Sequence, residues 1–281
     1  MDLLKINADY DLKEKKLNKR KKFKKTIIWL KLILILLLLG AVLVPLALSP
    51  LCNISSIEVL GNKHYKSSEI TKVTDVKVGE NGFRVIGRNI SGLLTFRYYK
   101  AETDILKNCT YVKSAKVKYK MPDKILITIE ERNPMCIIPH LGSYLIMDEE
   151  GYIIDIVEDE REVGLPVIKG LKIESYKMGQ ALELENPDSI EKIYDLITAI
   201  KKSDENSLYK LEDTVDYIDI SDPKKVCLFV DSRIIANLGD LRDLNYRIGV
   251  LKYILQNSIK EEDRGILDFT SGDKPIFRPE E

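Results

Sequence analysis

The chain has 281 residues, 44% of them apolar, with 44 Lys/Arg against 44 Asp/Glu. Averaged, that composition reads as an ordinary soluble protein; its distribution along the chain excludes one. Residues 1–25 carry ten basic and four acidic residues, Ile27–Leu48 carry a single charge (Lys31), and residues 50–281 carry 33 basic and 40 acidic residues.

Residues 1–25, net +6 and without an apolar face, read as a disordered cytoplasmic tail on the anionic inner leaflet. Residues 26–49 read as one transmembrane helix. As a helix, Ile27–Leu48 would reach about 33 Å, against a hydrocarbon core of about 30 Å. Trp29 and Lys31 lie at the basic end, where an indole and a snorkelling ammonium suit the headgroups, and Pro45 lies near the other end. The Lys/Arg cluster orients the span with the N-terminus cytoplasmic and the C-terminus outside the cell membrane. The span is longer than the apolar core of a secretory signal, about 7–15 residues, so a retained single-pass anchor is expected.

Beyond the anchor, Ile54–Val59 is a β-type run ending in the turn Leu60-Gly61-Asn62. Ser67–Val73 is a short helix with Ser67 as N-cap. Residues 76–98 are Gly-rich and show no clear pattern, and Lys100–Asn108 reads as a helix. Ala115, Val117, Tyr119 and Met121 alternate with lysines, and Ile125, Ile127 and Ile129 alternate back after Pro122-Asp123, giving a hairpin with one buried face. The order β-α-α-β-β over 54–132 is a small α+β module, with the boundary at Arg132-Asn133-Pro134. Residues 133–279 continue as a mainly antiparallel sheet domain with two helices. Asn186-Pro187-Asp188 opens the first helix and Asp240 caps the second; the last strands are Gly265–Thr270 and Pro275–Phe277.

Chemistry-bearing constellations are absent from the pattern. His64 and His140 have no nearby carboxylate or cysteine in sequence, and Cys52, Cys109, Cys136 and Cys227 lack metal-ligand spacing and read as free thiols. Ser221-Asp222-Pro223-Lys224 matches S-x-x-K but lies in a hairpin turn without its companion motifs. No P-loop or dinucleotide fingerprint occurs. Catalysis, cofactor, metal and nucleic-acid binding are therefore not expected. Binding through a sheet edge is, with a terminal strand such as Leu267–Thr270 offering unpaired backbone groups.

The order of features resembles the FtsQ/DivIB family of bitopic bacterial cell-division proteins. Ile54-Ser55-Ser56-Ile57-Glu58-Val59-Leu60-Gly61-Asn62 looks like the opening strand of that family's POTRA module. Tyr111–Val117, Pro122, Ile125, Ile127 and Glu131-Arg132-Asn133-Pro134 look like its closing hairpin. Asp148–Gly151, Leu165–Gly170, Gly265–Asp268 and Pro275–Pro279 are similar to the family's β domain. The resemblance implies a non-enzymatic divisome scaffold at the septum. It would bind FtsL-like and FtsB/DivIC-like proteins outside the membrane and help control septal peptidoglycan synthases. It implies a partner-binding strand at Leu267, Asp268, Phe269, Thr270, Ser271, Gly272, Ile276 and Phe277. The 82–98 stretch is longer than the family leads one to expect between the POTRA helices. A bitopic ligand-binding sensor and a cell-wall-associated ectoprotein are the competing readings.

Overall fold

A run of Leu, Ile and Val with neither Gly nor Pro before residue 40 favours one unbroken helix, and α1 spans Asp2–Ala47. The computed structural model describes residues 2–86, 90–271 and 274–280, with side chains over 25–86, 91–271 and 274–280. Lys25–Ala47 contains an 18-residue stretch with a mean hydropathy of 3.0 that the rest of the chain leaves unburied, and it is long and apolar enough to cross a membrane. The basic tail expected to be disordered is helical: its Lys, Leu, Glu and Arg residues are good helix formers and extend the apolar helix backwards.

The remaining elements follow in chain order. They are β1 (Ser56–Leu60), α2 (Ser67–Val73), α3 (Gly82–Val85), α4 (Ile90–Thr95), α5 (Tyr99–Asn108), β2 (Val112–Lys120), β3 (Lys124–Glu131), β4 (Pro134–His140), β5 (Ser143–Asp148) and β6 (Ile153–Val157). Then come β7 (Val167–Lys169), β8 (Ile173–Ser175), β9 (Glu183–Leu184), α6 (Asp188–Asp204), β10 (Val215–Asp219), β11 (Val226–Val230), β12 (Ile234–Gly239), α7 (Leu244–Asn257), β13 (Gly265–Asp268) and β14 (Ile276–Pro279). The chain is α+β, with sheets ordered β1-β3-β2 and β14-β13-β12-β11-β10-β7-β4-β5-β6, and a small β8-β9 pair.

Two compact units emerge, residues 1–58 with 75–99 and 117–127, and residues 59–74 with 100–116 and 128–281. Whereas the sequence suggests a boundary at 132/133, segments 59–74 and 100–116 group with the large sheet. In that second unit Tyr111 donates to Asp155, Thr110 Oγ1 donates to the Ile154 carbonyl, and Lys113 pairs with Glu150. Arg132 pairs with Asp148 at 2.6 Å and lies over the Tyr152 ring. The core of this unit lies between one sheet face and the two long helices: Ile193, Leu196 and Ile200 of α6 and Ile248 and Leu251 of α7 cluster with Leu228, Ile234, Ala236 and Leu267.

Several local expectations shift. Ser67 is the first residue of α2 rather than its cap, and Glu69 reaches back to the Lys66 N–H at 2.7 Å. Residues 82–98, unassigned from sequence, hold α3 and α4. Met121 falls in the turn and is exposed, so the alternation ends at Tyr119. Asp240 does not cap α7, which starts at Leu244; it pairs with Arg242 instead.

Candidate functional site

β13 is an interior strand. It pairs in parallel with β12 and antiparallel with β14, so Leu267–Thr270 does not offer the free edge expected of it. That edge belongs to β14, which among the described residues has no strand on its outer side. The physical reason is register: the chain turns after Thr270 and lays Ile276 back against Asp268 and Phe277 against Leu267.

Alternation fixes which backbone groups β14 presents. The N–H groups of Gly265 and Phe269 go to carbonyls on the β12 side, and Glu280 N–H goes to the Arg264 carbonyl. Ile266 and Asp268 therefore face β14, and their partners Arg278 and Ile276 point inward. Phe277 and Pro279 point outward. Proline has no N–H, and Pro275, one step earlier in the same alternation, lacks one too. The edge thus presents the Phe277 N–H as its donor, flanked by prolines, with carbonyls at Phe277 and Pro279. Such prolines blunt an edge against indiscriminate pairing. At the opposite end of the sheet, β6 is partly covered: Ile153 N–H donates to Gln180, its carbonyl accepts from Gly179, and Thr110 caps the Ile154 carbonyl.

The expected site residues separate by role. Leu267 (1% exposed) and Phe269 (6%) belong to the core. Asp268 is an internal organiser, accepting from Thr270 N–H and Oγ1, Ser271 Oγ and Asn237 Nδ2, with Arg278 at 3.4 Å. The Thr270 hydroxyl chiefly, with the Thr270 N–H, Ser271 and Arg278, holds its carboxyl below the usual value despite burial. Thr270, Ser271 and Ile276 are exposed and Phe277 is half-buried. Gly272 lies outside the described residues.

Sequence reasoning missed the face beside this edge. Tyr217, Phe229, Ile235, Ile266 and Arg278 pair in sequence across β10, β11, β12, β13 and β14, forming one rung on the sheet face opposite the helices. Ile235 and Ile266 are 37% and 42% exposed. Arg233, Arg264 and Arg278 border the adjoining groove of about 400 Å³. Runs such as Leu228-Phe229 and Ile234-Ile235, apolar on both strand faces, are the signal for it.

Other candidate chemistry finds no assembly. His64 stacks on Tyr111 at 3.7 Å, and the neighbouring Glu131 carboxylate is filled by the N–H groups of Lys63, His64 and Tyr65. His140 ends β4 against Tyr176. Ser221 and Lys224 sit in the turn between β10 and β11, where Ser221 bonds Asp219. Among the described residues no three His, Cys, Asp or Glu side chains converge to hold a metal ion. All four cysteines are free; Cys109 and Cys136 are buried, Cys52 and Cys227 half-buried, and burial pushes the Cys136 thiol well up.

Comparison with known proteins bears on this arrangement. The family model "POTRA domain, FtsQ-type" matches residues 52–132. Cell division protein DivIB of Clostridium botulinum (strain Hall) is 23% identical over 280 residues, covering 97% of this chain and 96% of the relative. DivIB of Clostridium tetani (strain Massachusetts) is 27% identical over 231 residues, 82% of this chain and 79% of the relative. DivIB of Staphylococcus aureus (strain NCTC 8325) is 28% identical over 124 residues, 44% of this chain and 26% of the relative.

Proposed function

Because the chain belongs to the FtsQ/DivIB family of cell-division proteins, we propose that it serves the divisome as a membrane-anchored, non-enzymatic scaffold whose β14 edge receives a strand from a coiled-coil division protein of the FtsL or FtsB/DivIC kind. The observation that carries this reading is the half-open edge: β14 ends a nine-stranded sheet, and among the described residues nothing pairs with the Phe277 N–H on its outer side. An incoming strand gains backbone bonds there in one register only, because prolines stand on both sides of Phe277. Its side chains then fall on the rung of Ile266 and Ile235, bordered by Arg264 and Arg278, which suits a segment carrying apolar and acidic residues.

Anchoring supports the same reading. A partner held in the same bilayer meets this edge at a raised effective concentration, so modest strand-to-strand affinity suffices. Placement at the septum, the outward orientation of the folded part, and an influence on septal peptidoglycan synthases follow as parts of the proposal.

Depletion in the native cell tests the division role: filamentation or failed septation is expected, and normal septation would refute it. Cross-linking from a photoreactive residue at Ile276 tests the edge. Capture of a bitopic coiled-coil division protein is expected, and capture from Leu141, an exposed residue outside the edge, is not.

A further inference from the structure

In the first compact unit, the structure ties the end of the apolar helix to the start of α3. The Asn81 side chain donates to the Ala47 carbonyl at 2.9 Å and to the Ser49 carbonyl at 3.3 Å. The same side chain accepts from Phe83 and Arg84 N–H, capping α3. One buried Asn therefore holds the first turn of α3 against the point where the membrane span ends.

The end of α4 is drawn to the same place. Phe96, just after α4, lies 6.2 Å from Phe83 ring to ring, and Phe83 lies 5.3 Å from Tyr119. The Tyr119 hydroxyl donates to the Cys52 carbonyl, in the turn that follows the span. Around this cluster the large apolar residues are turned outward: Leu51 is 70% exposed, Leu94 78%, Leu93 39% and Met121 60%. Four such side chains beside a membrane exit are more than the scattered apolar residues of an ordinary surface.

Charge points the same way. Residues 50–58, 75–99 and 117–127 hold seven Lys/Arg against four Asp/Glu, whereas the rest of residues 50–281 hold 26 against 36. A net +3 in an otherwise acidic ectodomain is concentrated in the unit that carries the anchor. Exposed apolar side chains and a cationic excess, in the unit whose Asn81 and Tyr119 bond the chain at the end of the apolar helix, are the composition of an interfacial membrane contact.

We propose that Leu51, Leu93, Leu94 and Met121 dip into the outer leaflet of the bilayer that α1 spans, with Arg84 and Lys120 at the anionic headgroups. The contact gives the anchor a second foothold, fixing the tilt of the first unit on the membrane instead of leaving it on a free hinge at residues 48–53.

The test uses the full chain in vesicles of mixed phosphatidylglycerol and phosphatidylcholine. The chain's one tryptophan, Trp29, is first replaced by Phe. Leu94→Trp in that background then reports depth through quenching by lipids brominated near the headgroup. A separate Leu208→Trp variant, at a fully exposed position, sets the aqueous baseline. At least twofold stronger quenching at position 94 than at 208 is expected, with blue-shifted emission. Aqueous emission and baseline quenching at position 94 would overturn the proposal. So would a blue shift that grows only with protein density and not with brominated lipid, which would mark a second copy of the chain as the occupant. Because Leu94 is largely exposed, the substitution leaves packing intact.

Discussion

The Lys252 ammonium of α7 lies 2.5 Å from the Asp204 carboxylate at the end of α6, and each side chain is under a tenth exposed. Asp204 also accepts the N–H groups of Leu211 and Glu212, and Lys252 donates to the Ser203 carbonyl. The pair closes the end of the helical layer over the sheet. Burial raises the Asp204 carboxyl, but the Glu212 N–H, Lys252 and the Leu211 N–H together outweigh it and hold the group below its usual value. A depressed carboxyl contributes stability that is present above its unfolded value, about 3.9, and lost as pH falls through the folded one. Lys252→Met should cost about 3–5 kcal/mol by leaving the carboxylate buried and unpaired. Urea melts should show that cost at pH 7, shrinking towards pH 3; an unchanged midpoint would show the pair to be dispensable.

Leu267 and Phe269 were expected to touch a partner, and both are core residues. Leu267→Ala should lower stability by about 2–5 kcal/mol, read in a denaturant melt, and weaken partner binding only through unfolding. Ile276→Asp acts oppositely. Ile276 is 44% exposed, so stability should change by no more than about 0.5 kcal/mol. Its binding to a coiled-coil partner should fall about tenfold or more through loss of an apolar contact and a charge set into the strand pairing. Equal binding losses at equal folded fraction for the two variants would put the contact elsewhere.

The contrast shows what the sequence could reveal. The long apolar helix was legible because membrane solvation demands about twenty apolar residues in one run, and Lys25–Ala47 supplies them. The β2–β3 hairpin was legible because alternation with period two is strong in Val117, Tyr119, Ile125 and Ile127. The site was legible only to its neighbourhood. Whether Leu267 or Phe277 lies at the edge depends on long-range pairing of β13 with β12, and no local pattern encodes it. The α3–α4 insert was equally opaque, since helices of four and six residues are held by contacts such as Asn81 and Tyr98 rather than by periodicity.

Arg132 was read as a boundary residue, and it acts as a clasp. Its guanidinium bonds Asp148 and Glu150 and lies 3.7 Å above the Tyr152 ring. Lys cannot reproduce a planar fork that pairs and stacks at once. Arg132→Lys should therefore destabilise the second unit by about 1–3 kcal/mol, with raised amide exchange at Glu150 and Tyr152, whose N–H groups bond Asp148. Unchanged exchange at both amides would mean that the turn holds itself.

Gly265 offers the sharpest test of the edge strand. It opens β13 with φ of +153°, and a Cβ there would run into the backbone of Arg278 and Pro279 on β14. The neighbour is main chain, so it cannot swing aside as a side chain would. Gly265→Ala must push β14 away from β13 while leaving Leu267 seated in the core. Pairing at Ile266 and Arg278 should loosen first, seen as faster amide exchange at Arg278. Global stability should fall by only about 1–3 kcal/mol, whereas binding of a partner strand should fall further than that loss explains, because the Phe277 N–H is no longer held in line. Wild-type binding by a Gly265→Ala protein with a demonstrably detached β14 would exclude this edge as the docking strand.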